Sequence, residues 1–237
     1  MAQKSIISLI QSVAAELNLP TPVTVLSNQD QNVQKMLYLA RAVCDDLIAE
    51  YDWQGLQTRY TFTTVNGQES YTLPTSMERY ISGTFFDQNS RWPLQGPKTP
   101  VEWEWIKASN FVAAPFTQFR VFGNAIHLAP TPGTSTYTFN LEYISNVYVN
   151  DGNSGLPKAD FTQDSDICSF DHRVVIYGIK LKWRESIGQD TTAVLADYKR
   201  ALEYSKGSDA PAQALSLDGH SGYRTLSTAN YPESNWG

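Results

Sequence analysis

The stretch VQKMLYLARAVCDDLIAEY, residues 33–51, decides the fold class. Its apolar residues Val33, Met36, Leu37, Ala40, Val43, Cys44, Leu47, Ile48 and Tyr51 recur at the i, i+3, i+4, i+7 spacing of a helix. They line one face of a helix over about five turns, and such a face must be buried against other elements. Ser27 with Asp30 three residues on predicts a capping box, aspartate standing in for glutamate. The helix is expected to stop near Trp53 and Gly55. Upstream, Ile6, Leu9, Ile10, Val13 and Leu17 repeat the helical spacing, and Pro20 and Pro22 end that run.

Beyond Trp53 the period changes to two. Tyr60, Phe62 and Thr64 alternate with polar residues, Asn66-Gly67 offers a tight turn, and Tyr71 and Leu73 predict a return strand that Pro74 closes. A further strand is expected at Tyr80 to Phe86, and a proline-rich loop at Arg91 to Pro100. The stretch from Pro100 to Asn110, with Trp103, Trp105 and Ile106, reads as a short helix or a strand. Phe119 and Val121, Gly123-Asn124, then Ile126 and Leu128 predict a second hairpin. Tyr137, Phe139, Leu141 and Tyr143 alternate as a half-buried strand.

Helical spacing returns with Val174, Tyr177, Gly178 and Leu181, flanked by Val175 and Ile179. Gly188 is placed to cap that helix. Asp190 or Thr191 starts another, with Leu195, Tyr198, Ala201 and Leu202 on one face. From Gly207 onward Ser, Gly and Ala dominate. Leu215, Leu217, Tyr223, Leu226, Tyr231 and Trp236 are nevertheless spread through the segment, as in a segment that orders on a partner. The expected fold is α+β: a four-helix bundle formed by the N- and C-terminal helices, an inserted antiparallel β-rich module, and an extended C-terminal tail. The expected divisions are residues 1–57 and 161–206 for the bundle, 58–160 for the module and 207–237 for the arm.

With 237 residues, 41% hydrophobic and 18% charged, the chain suits one generous globular domain. Aromatic residues make up 12%, which suits large protein contacts. The net charge of -6 argues against a free-standing nucleic-acid binder. Two cysteines, Cys44 and Cys168, make no disulfide framework and are expected as free thiols. No apolar run approaches the ~20 residues of a membrane span. Ser5, Ser8, Gln11, Ser12 and Glu16 interrupt any signal-peptide core, so synthesis in the cytoplasm is expected.

Motifs of catalysis are sparse, and no enzyme, cofactor or metal is expected. His127 lies in a strand pattern and reads as a packing or surface residue. Gly219-His220-Ser221-Gly222 lacks the spacing and the preceding strand of a nucleophile elbow. Asp164, Asp166, Cys168, Asp171 and His172 form the densest polar cluster; helix capping by Asp171 or Ser169 outweighs a divalent-metal reading. Asp151-Gly152-Asn153 begins like a calcium loop but lacks the later ligands. Lys180, Lys182 and Arg184, with Lys199 and Arg200, read as an exterior face pairing with Glu185 or Asp197. A sharper reading has them contacting phosphate or an acidic partner. Trp103 and Trp105, near Trp92, raise a sugar-stacking alternative: a β-sandwich binding module for glycans or proteins with flanking attachment helices. Exposed rings would favour it and buried rings would not.

Several residues together resemble a known family. They are Leu9 to Leu17, the turn Leu19-Pro20-Thr21-Pro22-Val23, the long helix and its exit Tyr51-Asp52-Trp53, then Tyr71-Thr72-Leu73-Pro74 and the helical pair from Asp171 to Lys206. This arrangement resembles the head-to-tail adaptor of short-tailed bacteriophages, the tail tubular protein A type. The chain departs from it at Asn18, where glycine is common, and in its long tail. The resemblance implies a structural virion protein of the neck, a homo-oligomeric ring of twelve between the portal protein and the tail nozzle protein. Genomic DNA would pass through its channel during ejection without specific binding, as an acidic wall favours. The arm residues Leu215, Leu217, Tyr223, Leu226, Tyr231 and Trp236 are expected to grip the portal or a neighbouring subunit. Deleting residues 208–237 is expected to leave a folded monomer that fails to join the ring.

Overall fold

A computed structural model describes residues 3–109 and 117–210. Two helices open the chain, Ile6–Glu16 (α1) and Gln31–Glu50 (α2). Five strands follow: Gln57–Thr63 (β1), Ser70–Thr72 (β2), Met77–Tyr80 (β3), Phe86–Asp87 (β4) and Trp92–Pro93 (β5). After helix Pro100–Ala108 (α3) come Gln118–Phe122 (β6), Ala125–Ala129 (β7), Thr138–Ser145 (β8), Val149–Asn150 (β9), Pro157–Lys158 (β10) and Ile167–Cys168 (β11). His172–Ser186 (α4) and Thr192–Asp209 (α5) complete the described chain. The class is α+β, with antiparallel strand pairing throughout the three sheets.

The periodic helices form where their stripes predict. α2 buries Val33, Met36, Leu37, Leu39, Ala40, Val43, Cys44, Leu47 and Ile48. α4 is central, packing against α1, α2 and α5, and it buries residues around most of its girth. Gly178 makes this possible. A Cβ there would lie 2.7 Å from Val43 Cγ1 on α2 and 3.3 Å from Tyr198 Cε2 on α5. Leu195, expected on one face with Tyr198, Ala201 and Leu202, is 37% exposed, whereas Val194 is buried. The helix expected to close at Lys206 runs on to Asp209.

Two of the helices, α1 and α4, stop at a left-handed residue. Asn18 has φ 55°, and Leu19 N–H donates to Ala14 O at 2.9 Å, closing α1 in a Schellman motif. Gly188 closes α4 in the same way, with Gln189 N–H on Arg184 O at 3.0 Å. At the start of α2 the cap is Asp30, not a Ser27–Asp30 box: its carboxylate accepts Asn32 N–H at 2.8 Å. The stretch at 100–108 is helical because Thr99 and Glu102 form a capping box and Pro100 stands in the first turn.

Strands β1, β8, β4 and β5 form one sheet in that order, with β3 also on β8. A second sheet runs β2-β7-β6. Phe62, Phe139, Leu141 and Tyr143 of the first meet Tyr71, Phe119, Ile126 and Leu128 of the second in one apolar core. The β6–β7 hairpin forms as predicted, Gly123 and Asn124 both at positive φ, as a type I′ turn requires.

The first predicted hairpin does not form. The turn at Asn66-Gly67 is present, but β1 pairs over seven residues with β8, and β2 pairs with β7. The Tyr71 hydroxyl accepts Val65 N–H at 2.9 Å and donates to Gln68 O at 2.9 Å, fixing the crossing between sheets. Phe62 and Tyr71 then meet across the core from opposite sheets, centroids 4.9 Å apart and rings tilted by 31°, instead of lying side by side on one sheet. The strand expected at Tyr80 to Phe86 is split into β3 and β4, and the loop expected at 91–100 contains the short β5.

Candidate functional site

Residues 148–171 form a strap that fastens the N-terminal helices to the C-terminal ones. Its side chains Tyr148, Val149, Phe161, Cys168 and Phe170 belong to the helical core, not to the sandwich. Ile6 N–H donates to Asp166 O at 2.8 Å, at the start of α1. The Asp164 carboxylate accepts Leu26 N–H at 2.9 Å and Val25 N–H at 3.1 Å, holding the turn that leads into α2. Asp171 caps α4 by accepting Arg173 N–H at 2.8 Å.

The polar cluster singled out in the sequence is therefore a set of fasteners. Asp166 is fully buried. Burial opposes its ionisation, but Lys158 Nζ at 2.8 Å and the N–H groups of Thr162 and Gln163 outweigh that and hold the carboxyl below its usual range. The same balance, with Arg173 and then His172 as the favourable charges, keeps Asp171 low. Asp151 accepts Lys158 at 2.7 Å and the N–H groups of Asn153 and Ser154, which hold its carboxyl below the ordinary value. Lys158 thus bridges the Asp151 and Asp166 carboxylates. Among the described residues no group of three or more His, Cys, Asp or Glu is arranged to hold a metal.

Cys44 of α2 and Cys168 of the strap are free thiols, as expected, yet their sulfurs lie 3.7 Å apart in the core. Burial, then the neighbouring thiol, pushes the Cys44 thiol well above its ordinary range, so it is a poor nucleophile.

The basic run of α4 finds partners across the helical core surface. Lys180 pairs with Glu16 of α1, and Lys182 with Asp46 of α2 at 2.6 Å. Neither uses Glu185. Arg200 pairs with Asp197 at 3.4 Å, as one of the expected alternatives had it. Between α4 and α5 lies a shallow groove of about 210 Å³ lined by Arg173, Tyr177, Asp197, Arg200, Ala201 and Tyr204.

On the β module, Trp103 is buried and Trp105 is exposed. The paired indole platform of the sugar-stacking alternative is therefore not formed by these two. His127 stacks on Phe122 with centroids 3.8 Å apart, a packing role. Arg79 of β3 donates to Ile48 O at 2.6 Å, Tyr51 O at 2.8 Å and Asp52 Oδ1 at 2.8 Å, tying the module to the C-terminal end of α2. At the other end of the chain, the Asp209 carboxylate accepts Gln54 N–H at 2.8 Å, so α5 ends beside the start of β1. The expected arm residues Leu215, Leu217, Tyr223, Leu226, Tyr231 and Trp236 lie outside the described residues. No helix among the described residues is long and apolar enough to cross a membrane.

Sequence reasoning missed the thiol pair, the Asp164 contacts and the Arg79 tie, since each joins residues far apart in the chain. The model of one protein family, SU10 adaptor protein, matches residues 4–215. A search of curated proteins found no match.

Proposed function

Because the chain belongs to the SU10 adaptor protein family, a family of phage head-to-tail adaptors, we propose that it builds the structural ring joining the portal to the tail nozzle. The match over residues 4–215 carries this reading: it spans the described helices and all three sheets. In it, α1, α2, α4 and α5 act as the four-helix unit that forms the ring wall, twelve copies around the DNA channel. The sandwich projects from that wall, and the protein has no catalytic task. The fastened carboxylates suit this role, because each serves a neighbouring backbone or cation and none is left poised for chemistry.

The acidic chain would repel the phosphates of passing DNA, so the genome slides during ejection. Residues 211–237 form the arm that grips the portal or a neighbouring copy. The cut that tests the arm belongs after Ala210, because Asp209 still contributes to the folded body. Full-length and 1–210 chains, co-expressed with the cognate portal and imaged by negative stain, provide the test. We expect rings stacked under portals for the full chain and free 1–210 protein beside bare portals. A 1–210 chain that still assembles would overturn the arm's role, and full-length protein that never joins a portal would overturn the adaptor reading.

A further inference from the structure

Strand β1 is the outermost strand of its sheet, paired only with β8. Thr64 N–H donates to Tyr137 O at 2.8 Å, in register with the β1–β8 ladder. Hydrogen-bonded and open positions alternate along an antiparallel pair. Residues 58, 60 and 62 therefore face β8, while Arg59, Thr61 and Thr63 turn their N–H and C=O groups outward. No bond from these outward groups is formed within the described residues. Natural sheets guard such an edge with prolines, bulges or several charges. β1 has no proline, no break in its register with β8, and Arg59 as its one charge.

We propose that this edge receives a strand from the arm of a second copy, residues 223–228, in a head-to-tail interface between neighbouring subunits. The proposal rests on the arm reading given above. Tyr223-Arg224-Thr225-Leu226-Ser227-Thr228 is the β-prone run of the arm, bounded by Gly222 and Asn230. At six residues it is one shorter than β1, and it shares the mixture of tyrosine and threonine. The arm begins after Ala210, beside the start of β1, because Asp209 holds Gln54. The residues leading to Tyr223 span up to about 45 Å when extended, far more than the chain's own β1 requires. A ring needs one donating and one receiving face on every subunit, and the arm and the β1 edge supply them.

Hydrogen exchange of the full chain over a range of concentrations tests this, with Thr225→Pro and Leu226→Pro as variants. The two prolines fall on opposite sides of the backbone alternation, so one of them removes an N–H that the edge uses. We expect exchange at Arg59, Thr61 and Thr63 to slow about tenfold or more as concentration rises, and one proline to abolish that protection. Protection independent of concentration would place the chain's own arm on β1 and overturn the proposal. Unprotected amides at every concentration, or protection that survives both prolines, would overturn it as well. Imaging the same samples with portal separates the two failures: rings without β1 protection refute this inference and leave the adaptor reading standing.

Discussion

Asp166 shows what one buried carboxylate does for this fold. It is fully buried, yet it stays ionised because Lys158 and two backbone N–H groups face it. Its folded-state pKa lies below that of the unfolded chain, so its contribution is present above about pH 4 and is lost as the pH falls through the folded value. Asp166→Asn should cost about 2–3 kcal/mol near neutral pH, measured as a shift in denaturant midpoint. The gap between wild type and variant should narrow as the pH drops below about 4. A gap that stays constant down to acid unfolding would show that the charge is not what matters. Asp171 was legible as a cap, because capping is a local pattern. The service of Asp164 to Val25 and Leu26 was not, since 139 and 138 residues separate the partners.

At the scale of elements, the helix pairs depend on close approach. Gly178 lets α4 sit against both Val43 and Tyr198. Gly178→Ala improves helix propensity by about 1 kcal/mol but forces its methyl group into a stiff valine. We expect a net loss of about 1–2 kcal/mol in thermal or chemical unfolding. Adding Val43→Ala should return part of it; strict additivity of the two changes would contradict the contact. The same scale explains what the sequence could and could not reveal. α2 and the β6–β7 hairpin are written in short-range periodicity and turn residues. The partner of β1 is β8, which no local pattern names, so Asn66-Gly67 suggested a hairpin that the burial of Phe62 and Tyr71 from opposite sheets overrules. Asn18 marks the reverse case: its departure from glycine is tolerated because asparagine also adopts the left-handed conformation.

Among the described residues the helical core and the sandwich core are two separate apolar clusters. Arg79 ties the module to the helices, closing three acceptors at the end of α2 with one guanidinium. Arg79→Ala should speed hydrogen exchange at the end of α2 and along β3 while leaving the β6–β7 hairpin unchanged. Arg79→Lys should rescue little, because a single ammonium cannot serve three acceptors in a fork. Uniformly faster exchange across both cores would mean that the tie is global, not local. The junction has one more property. β1 and β8 begin and end the excursion into the sandwich, and Gln57 sits directly opposite Ile144. The chain therefore leaves the helices and returns to them about 5 Å apart. Such a doorway makes the sandwich an exchangeable cassette: a short linker or a foreign domain with adjacent termini could be spliced across it without re-aiming α2 relative to α4. Proteins built on this plan can vary the sandwich while the helical body keeps its shape.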